Sequence, residues 1–190
     1  MRSRLSKLNA LGAAAGMAAI LAIGIAPAGA AGEAVPWGQA CKPAQTGVAR
    51  TSATCGATVV DGKAVAPPSA PPMVKAVIAA ANQIDGRPYV WGGGHLSWTT
   101  HGYDCSGAVS YALHGGGLLS ETMVSGQLEH WGSSGVGRWI TVYANYHHVY
   151  MVIAGLRFDT RDDRPGVSGP RWHLEPATPG EFAARHPVGF

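Results

Sequence analysis

A cysteine, a histidine and an aspartate in the second half of the chain are the residue types of a nucleophilic catalytic site. Cys105 stands in the stretch GYDCSG, His148 opens a stretch of alternating apolar residues, and Asp159 lies on the next strand-like stretch. A thiolate is a far better nucleophile than a thiol, and a neighbouring imidazolium stabilises it. The histidine in turn needs a partner that accepts its other ring N–H. The three residues predict acyl chemistry with Cys105 as nucleophile, His148 as base and Asp159 as orienting residue.

A predicted helix positions the cysteine. Asp104 is a good N-cap residue, residues 105–114 can be helical, and the glycines at 115–117 end the helix. The unpaired N–H groups at a helix N-terminus carry partial positive charge. Cys105 is therefore expected at a position that favours the thiolate.

A predicted strand positions the histidine. Successive side chains of a strand point to opposite faces, so His148 should reach the cysteine and His147 should not. Asp159 is the first candidate for the orienting partner, and His173 and Asp163 are the alternatives. The spacing of these residues matches no compact zinc pattern, so no metal is predicted.

The order of the predicted elements indicates an α+β protein. Residues 73–84 have apolar side chains at helical spacing, with Pro72 suited to the first turn. Short helices are predicted at 127–131 and 179–186. Antiparallel strands are predicted at 138–145, 147–154 and 157–160. Because helices come first and a strand meander follows, the pattern favours α+β over alternating β-α-β units.

The first 31 residues have the order of a secretory signal peptide. A basic start is followed by an Ala- and Leu-rich run and then by small residues near Ala30 and Ala31. This predicts a cleaved leader over residues 1–31 and no stable membrane anchor afterwards. Residues 32–71 are predicted to be irregular and Pro-rich, with a small hairpin at 59–65 around an Asp-Gly pair. Residues 72–190 are predicted to form the catalytic domain.

Charge and cysteine content narrow the classes of partner. Without the leader the chain has 11 Lys and Arg against 11 Asp and Glu, so its net charge is zero and no basic patch points to nucleic acid.

Cys41 and Cys55 lie close together in a segment expected to be exported, and a disulfide between them is plausible. Cys105 then remains as the odd thiol. A monomer without a cofactor is expected.

Three stretches together resemble the NlpC/P60 family, papain-like cysteine peptidases of bacterial cell-wall peptides. They are PYVWGGGH at 88–95, GYDCSG at 102–107 and HHVYMVIAGLRFDT at 147–160. The resemblance covers Met73 to Thr160. It implies a papain-like fold with N-terminal helices packed on an antiparallel β-sheet, and a protein secreted by a bacterium or held in its envelope.

The resemblance also implies roles for individual residues. Cys105 and His148 match the family's nucleophile and base, and Asp159 occupies the place of a third residue that varies in the family. Tyr89 is implied to lie against the cysteine. Two further residues are implied to hold the substrate peptide and its free amine: Asp104 and Ser106.

The activity implied by the resemblance is hydrolysis of amide bonds in peptidoglycan stem peptides. Family members commonly cut between γ-D-glutamate and the diamino acid. Two other classes stay open. One is an amidase or acyl transferase on the same scaffold, and the other is a non-catalytic cell-wall-binding protein.

Overall fold

Helices and an antiparallel sheet form the part of the chain that the computed structural model describes, which is residues 56–161, 168–174, 177 and 180–189. The helices are α1 (Pro72–Ile84), α2 (Cys105–Gly115) and the one-turn α3 (Ser125–Leu128). The strands are β1 (Thr58–Val60), β2 (Lys63–Val65), β3 (Ser133–Ser134), β4 (Ile140–Asn145), β5 (His148–Ile153), β6 (Leu156–Asp159), β7 (Arg171–His173) and β8 (Ala183–His186). The predicted α+β class with antiparallel strands is therefore confirmed.

Helix α1 forms where the sequence predicts it and packs against α2. Pro72 stands in the first turn of α1, and the apolar stripe of α1 is buried. The stripe consists of Val74, Val77, Ile78, Ala81 and Ile84. The two helices lie close together at Gly115, where an added Cβ would lie 2.3 Å from the Cβ of Ala80. Small residues at this crossing let α2 lie close to α1.

Within the described residues, six strands form one sheet in the order β3-β8-β4-β5-β6-β7, and every neighbouring pair is antiparallel. The register of β4 on β5 runs from Asn145 opposite His148 to Ile140 opposite Ile153. The Asn145 side chain accepts hydrogen bonds from the backbone N–H groups of His147 and His148, at 3.0 and 2.9 Å. This turn fixes where β5 begins, and hence where His148 stands.

Strands β5 and β6 present different chemistry on their two faces. One face belongs to the apolar core and is contributed by Val149, Met151, Ile153, Leu156 and Phe158. The opposite face, by strand alternation, carries His148, Tyr150, Arg157 and Asp159. Ala154 and Gly155, both with positive φ (47° and 88°), form the tight turn between the strands. The short turn places Asp159 on the strand beside His148.

The predicted helix at 179–186 is wrong, because Ala183–His186 forms strand β8. This strand lies between β3 and β4, with Ala183 opposite Ala144 and Arg185 opposite Val142. As a strand, β8 satisfies the backbone N–H and C=O groups along the edge of β4, which would stay unpaired if this segment were a helix. The tertiary pairing therefore overrides the local helix propensity. The helix predicted at 127–131 begins earlier, at Ser125, and ends at Leu128. Strand β7 was not predicted.

The hairpin predicted around the Asp-Gly pair is confirmed as β1 and β2, with positive φ at Asp61 and Gly62. Asn82 of α1 connects this hairpin to the main sheet: its Oδ1 accepts from Ala64 N at 3.0 Å and from Trp172 Nε1 at 2.8 Å.

In the described part of the chain no helix is both long and apolar enough to cross a membrane. The predicted leader lies outside the described residues, as do Cys41, Cys55 and Asp163.

Candidate active site

Cys105 is the first residue of α2, as predicted. The N-cap Asp104 has extended backbone geometry, and its Oδ1 accepts a hydrogen bond from Gly107 N at 2.7 Å. Cys105 is a free thiol and half-buried. Its position at the N-terminus of an 11-residue helix exposes it to the partial positive charge of the first unpaired N–H groups.

His148 and Asp159 form a buried hydrogen-bonded pair across β5 and β6. His148 Nε2 lies 2.8 Å from Asp159 Oδ1, and the residues are 5% and 4% exposed. The Cys105 side chain interacts with His148, since it is one of the causes that raise the pKa of the imidazole. Since Nε2 is engaged by Asp159, Nδ1 is the nitrogen that can serve the thiol. The rings of Tyr150 and Phe182 pack near the imidazole, with centroids at 6.4 and 6.3 Å.

The electrostatics of the pair favour the charged forms of both partners. Burial by itself would lower the pKa of His148, but the hydrogen bonds to Asp159 and Cys105 outweigh it, so the pKa is raised. Burial would raise the pKa of Asp159, but the hydrogen bond from His148 and the imidazolium charge outweigh it, so the pKa is lowered. The Arg161 backbone N–H, 3.1 Å from Asp159 Oδ1, adds to this effect. The arrangement can therefore hold an imidazolium between a carboxylate and a sulfur.

A backbone bridge joins Tyr89 to Tyr103, which precedes Cys105 by two residues. Tyr89 and Tyr103 form an isolated parallel bridge, with Val90 N donating to Tyr103 O at 3.2 Å and Tyr103 N donating to Pro88 O at 3.1 Å. The pKa of Tyr89 is raised, mainly by burial and then by the negative charges of Cys105 and Asp104. A phenol that keeps its proton beside the sulfur can donate a hydrogen bond to a developing oxyanion.

His95, which the sequence analysis missed, completes a polar cluster at the start of α2. Its Nε2 lies 3.1 Å from both Asp104 Oδ1 and Ser106 Oγ. Ser106 Oγ also donates to Asp104 Oδ1 at 3.1 Å, and Gly92 N donates to Oδ2 at 3.0 Å. The Asp104 carboxylate is thus engaged on both oxygens and joins the glycine-rich loop to the helix. A histidine directly after GGG was the available signal, but no periodicity singled it out.

The other residues predicted as partners of His148 lie elsewhere. His173 lies on β7 opposite Arg157 in the sheet register, and His147 is exposed in the turn before β5. Arg157 was also missed by the sequence analysis: it is buried, and its Nη1 lies 4.0 Å from Asp159 Oδ2. Asp163 lies outside the described residues. Asp159 is therefore the one candidate, among those the structure describes, that holds the His148 ring.

The chain is similar to proteins of known structure, although no family model matches it. No curated protein matches it either. Among solved structures, the chain is similar to the peptidoglycan hydrolase RipB from Mycobacterium tuberculosis, with 24% sequence identity and a TM-score of 0.48. The likeness covers 62% of this chain and 66% of the RipB chain, just under two thirds of that protein.

Proposed function

We propose that this protein is a secreted cysteine peptidase of the NlpC/P60 type that hydrolyses amide bonds in peptidoglycan stem peptides. The observation behind the proposal is the spatial arrangement of three side chains, those of Cys105, His148 and Asp159. The thiol stands at a helix N-terminus and raises the pKa of the imidazole, and the imidazole lies 2.8 Å from a buried carboxylate. The sequence resemblance supplies the substrate class and the bond, which is the amide between γ-D-glutamate and the diamino acid.

The proposed reaction has two steps. The Cys105 thiolate attacks the amide carbonyl, and the Cys105 backbone N–H and the Tyr89 hydroxyl stabilise the oxyanion. The His148 imidazolium gives its proton to the leaving amine, which leaves a thioester on Cys105. Neutral His148 then takes a proton from water, and the resulting hydroxide releases the acid and restores the thiolate–imidazolium pair. Asp159 stays ionised throughout and holds the ring.

Digestion of purified peptidoglycan by the wild type and by Cys105→Ala tests the proposal. We expect the wild type to release peptides ending in a free γ-carboxylate, and Cys105→Ala to release none because the nucleophile is missing. Mass spectrometry of the products separates hydrolysis from transfer, since a transferase would leave the acyl group on a second amine. Peptide release by Cys105→Ala equal to that of the wild type would contradict an enzyme of this kind.

Adjacent histidines provide a matched control for the base. His148→Ala should lower kcat by more than about 100-fold, because it removes the group that protonates the leaving amine. His147→Ala removes an identical side chain one residue away, in the exposed turn, and should leave kcat within about 2-fold of the wild type. Circular dichroism of both variants shows whether the fold is intact. Equal losses in the two variants would argue against His148 as the base.

A further inference from the structure

A second contact between a histidine and a carboxylate lies at the start of α2, directly before the candidate nucleophile Cys105. His95 Nε2 lies 3.1 Å from Asp104 Oδ1 and 3.1 Å from Ser106 Oγ. Thr122 Oγ1 donates a hydrogen bond to the backbone oxygen of His95 at 3.2 Å, so the backbone of the histidine is held as well. Asp104 is buried and His95 is half-buried. His95 takes no part in the proposed reaction.

The geometry of this cluster excludes a second catalytic triad, although Ser106, His95 and Asp104 are the residue types of a serine hydrolase. In such a triad the serine contacts one ring nitrogen and the aspartate contacts the other. Here the hydroxyl and the carboxylate both contact Nε2, and Ser106 Oγ donates to Asp104 Oδ1 at 3.1 Å. Ser106 is also buried. The cluster therefore serves the carboxylate and not a serine nucleophile.

The hydrogen bonds of the cluster converge on Asp104 from two parts of the chain. Oδ1 accepts from Gly107 N at 2.7 Å, in the first turn of α2, and Oδ2 accepts from Gly92 N at 3.0 Å, in the glycine-rich loop. Because an ionised carboxylate can only accept, His95 Nε2 carries the proton of its own contact with Oδ1. The loop and the helix together fix the rotation of the Asp104 side chain.

The charge of Asp104 matters for Cys105 because the two residues are adjacent in the chain. Like charges at close range disfavour one another, so a bare carboxylate would oppose a neighbouring thiolate. Each N–H that donates to the carboxylate directs its positive end at the negative oxygens and weakens this repulsion. The N-cap side chain must also keep its rotation for α2 to begin at Cys105.

We propose that His95 is a positioning residue that acts on Cys105 through Asp104. The Nε2–H of His95 holds the carboxylate in its capping position and offsets its charge, so that the neighbouring sulfur reacts as the thiolate. This inference rests on the proposed function only for the role of Cys105 as nucleophile. His148 and Tyr89 also interact electrostatically with Cys105, and Glu121 shares a cavity of about 250 Å³ with His95. The test leaves these three residues unchanged.

Alkylation of Cys105 by iodoacetamide across a range of pH tests the assignment without a substrate. The label is followed by mass spectrometry in the wild type, His95→Met and His95→Gln. Met and Gln have side chains of similar length, but only Gln supplies an N–H donor. In His95→Met the rise of the rate should move to higher pH, so that the rate at about pH 6 falls about 3- to 10-fold. His95→Gln should stay within about 2-fold of the wild type.

Two further variants guard against a general effect on the fold. His95→Ala also lacks the donor but has a smaller side chain, and it should show the same loss as His95→Met. His101→Met is the matched control at an exposed histidine between the glycine-rich loop and α2, and it should react like the wild type. Equal losses in His95→Met and His95→Gln would show that the ring matters for packing only and would overturn the assignment. So would a wild-type profile in His95→Met and His95→Ala.

A double-mutant cycle tests whether His95 acts through Asp104. Asp104→Asn keeps a good N-cap side chain but removes the charge. In that background, adding His95→Met should change the alkylation rate by less than about 2-fold, because the group that His95 holds and offsets is no longer charged. A further loss as large as that in the wild-type background would contradict the route through Asp104.

The outcomes for this inference and for the proposed function are separable. A slowed thiol in His95→Met, restored in His95→Gln, supports the assignment even where the wild type releases no peptide from peptidoglycan and the proposed hydrolysis fails. Peptide release by the wild type, with equal alkylation rates in the wild type and His95→Met, would sink the assignment and leave the hydrolysis standing.

Discussion

His148 can serve Cys105 through Nδ1 because its Nε2 is already held 2.8 Å from Asp159 Oδ1. The carboxylate fixes the rotation of the ring and leaves Nδ1 as the free ring nitrogen for the proposed reaction. With the pKa of His148 raised and that of Asp159 lowered, both partners are charged over the same pH range. In the proposed mechanism, Asp159 therefore orients the base and stabilises its charged form.

Replacing Asp159 with Asn should lower kcat by roughly 10- to 1000-fold, less than His148→Ala, because the amide keeps the size of the side chain but loses the charge that stabilises imidazolium. His173→Ala should be mild, since the described hydrogen bond to His148 comes from Asp159. Steady-state kinetics on one stem peptide gives the ranking. The reverse ranking, with His173→Ala severe and Asp159→Asn silent, would move the orienting role to β7.

The pH profile of kcat/KM should respond to the same substitution. The active form needs protonated His148, so kcat/KM should fall as pH rises through the pKa of His148, which lies above the ordinary value of 6.5. Asp159 is one of the causes of that raised pKa. Asp159→Asn should therefore move the alkaline fall of the profile to lower pH. An alkaline fall at the same pH in both proteins would show that Asp159 does not act on His148.

At the scale of elements, close backbone packing holds α2 against the glycine-rich loop. A Cβ on Gly107 would lie 2.0 Å from the carbonyl oxygen of Gly93, and a Cβ on Gly93 would lie 2.3 Å from that of Gly102. Neither contact leaves room for a side chain. The loop and the first turn of α2 therefore form one rigid unit, which holds Asp104 and Cys105 in place.

Gly107→Ala should destabilise the protein by about 1–3 kcal/mol and lower kcat, because the loop must move away from the new methyl group. Gly126→Ala in α3 is the control: the nearest atom to its Cβ would be Tyr146 Cδ2 at 3.7 Å, an ordinary contact. It should change the free energy of unfolding by no more than about 0.5 kcal/mol. Urea denaturation measures both, and equal effects would show that the glycine contact is unimportant.

The sequence predicts the elements that rely on local signals and misses those that rely on distant partners. Helices α1 and α2 and strands β4 to β6 follow from apolar periodicity, the Asp104 cap and short turns. Strand β8 does not, because its conformation is set by pairing with β3 and β4, whose residues lie far away in the chain. His95 was missed for a related reason, because its partners Asp104 and Ser106 become neighbours only once the loop has packed on α2. Arg157 was missed although strand alternation places it on the same face as Asp159, two residues later.

For the whole molecule, the buried His148–Asp159 pair makes stability depend on pH. His148 has a raised pKa, so its contribution is fully present below the unfolded value of about 6.5 and is lost as pH rises through the folded value. Asp159 has a lowered pKa, so its contribution is present above about 3.8 and is lost as pH falls through the folded value. The pair should therefore stabilise the fold most between these limits.

The difference in melting temperature between the wild type and His148→Gln should be largest between about pH 4 and pH 6.5, and should shrink on both sides. His147→Gln, in the exposed turn, should show no such maximum. Calorimetric scans across this range measure the effect. A difference that stays constant with pH would show that the pair is not charged in the folded protein.

The pairing of Cys105 with His148 is tested most directly by the alkylation rate of the thiol. Native wild type, His148→Ala and His147→Ala are treated with iodoacetamide near pH 6, and the label on Cys105 is followed by mass spectrometry. Imidazolium stabilises the reactive thiolate, so the wild type and His147→Ala should react at equal rates and His148→Ala at least about 10-fold more slowly. Equal rates in all three proteins would contradict the proposed catalytic pair.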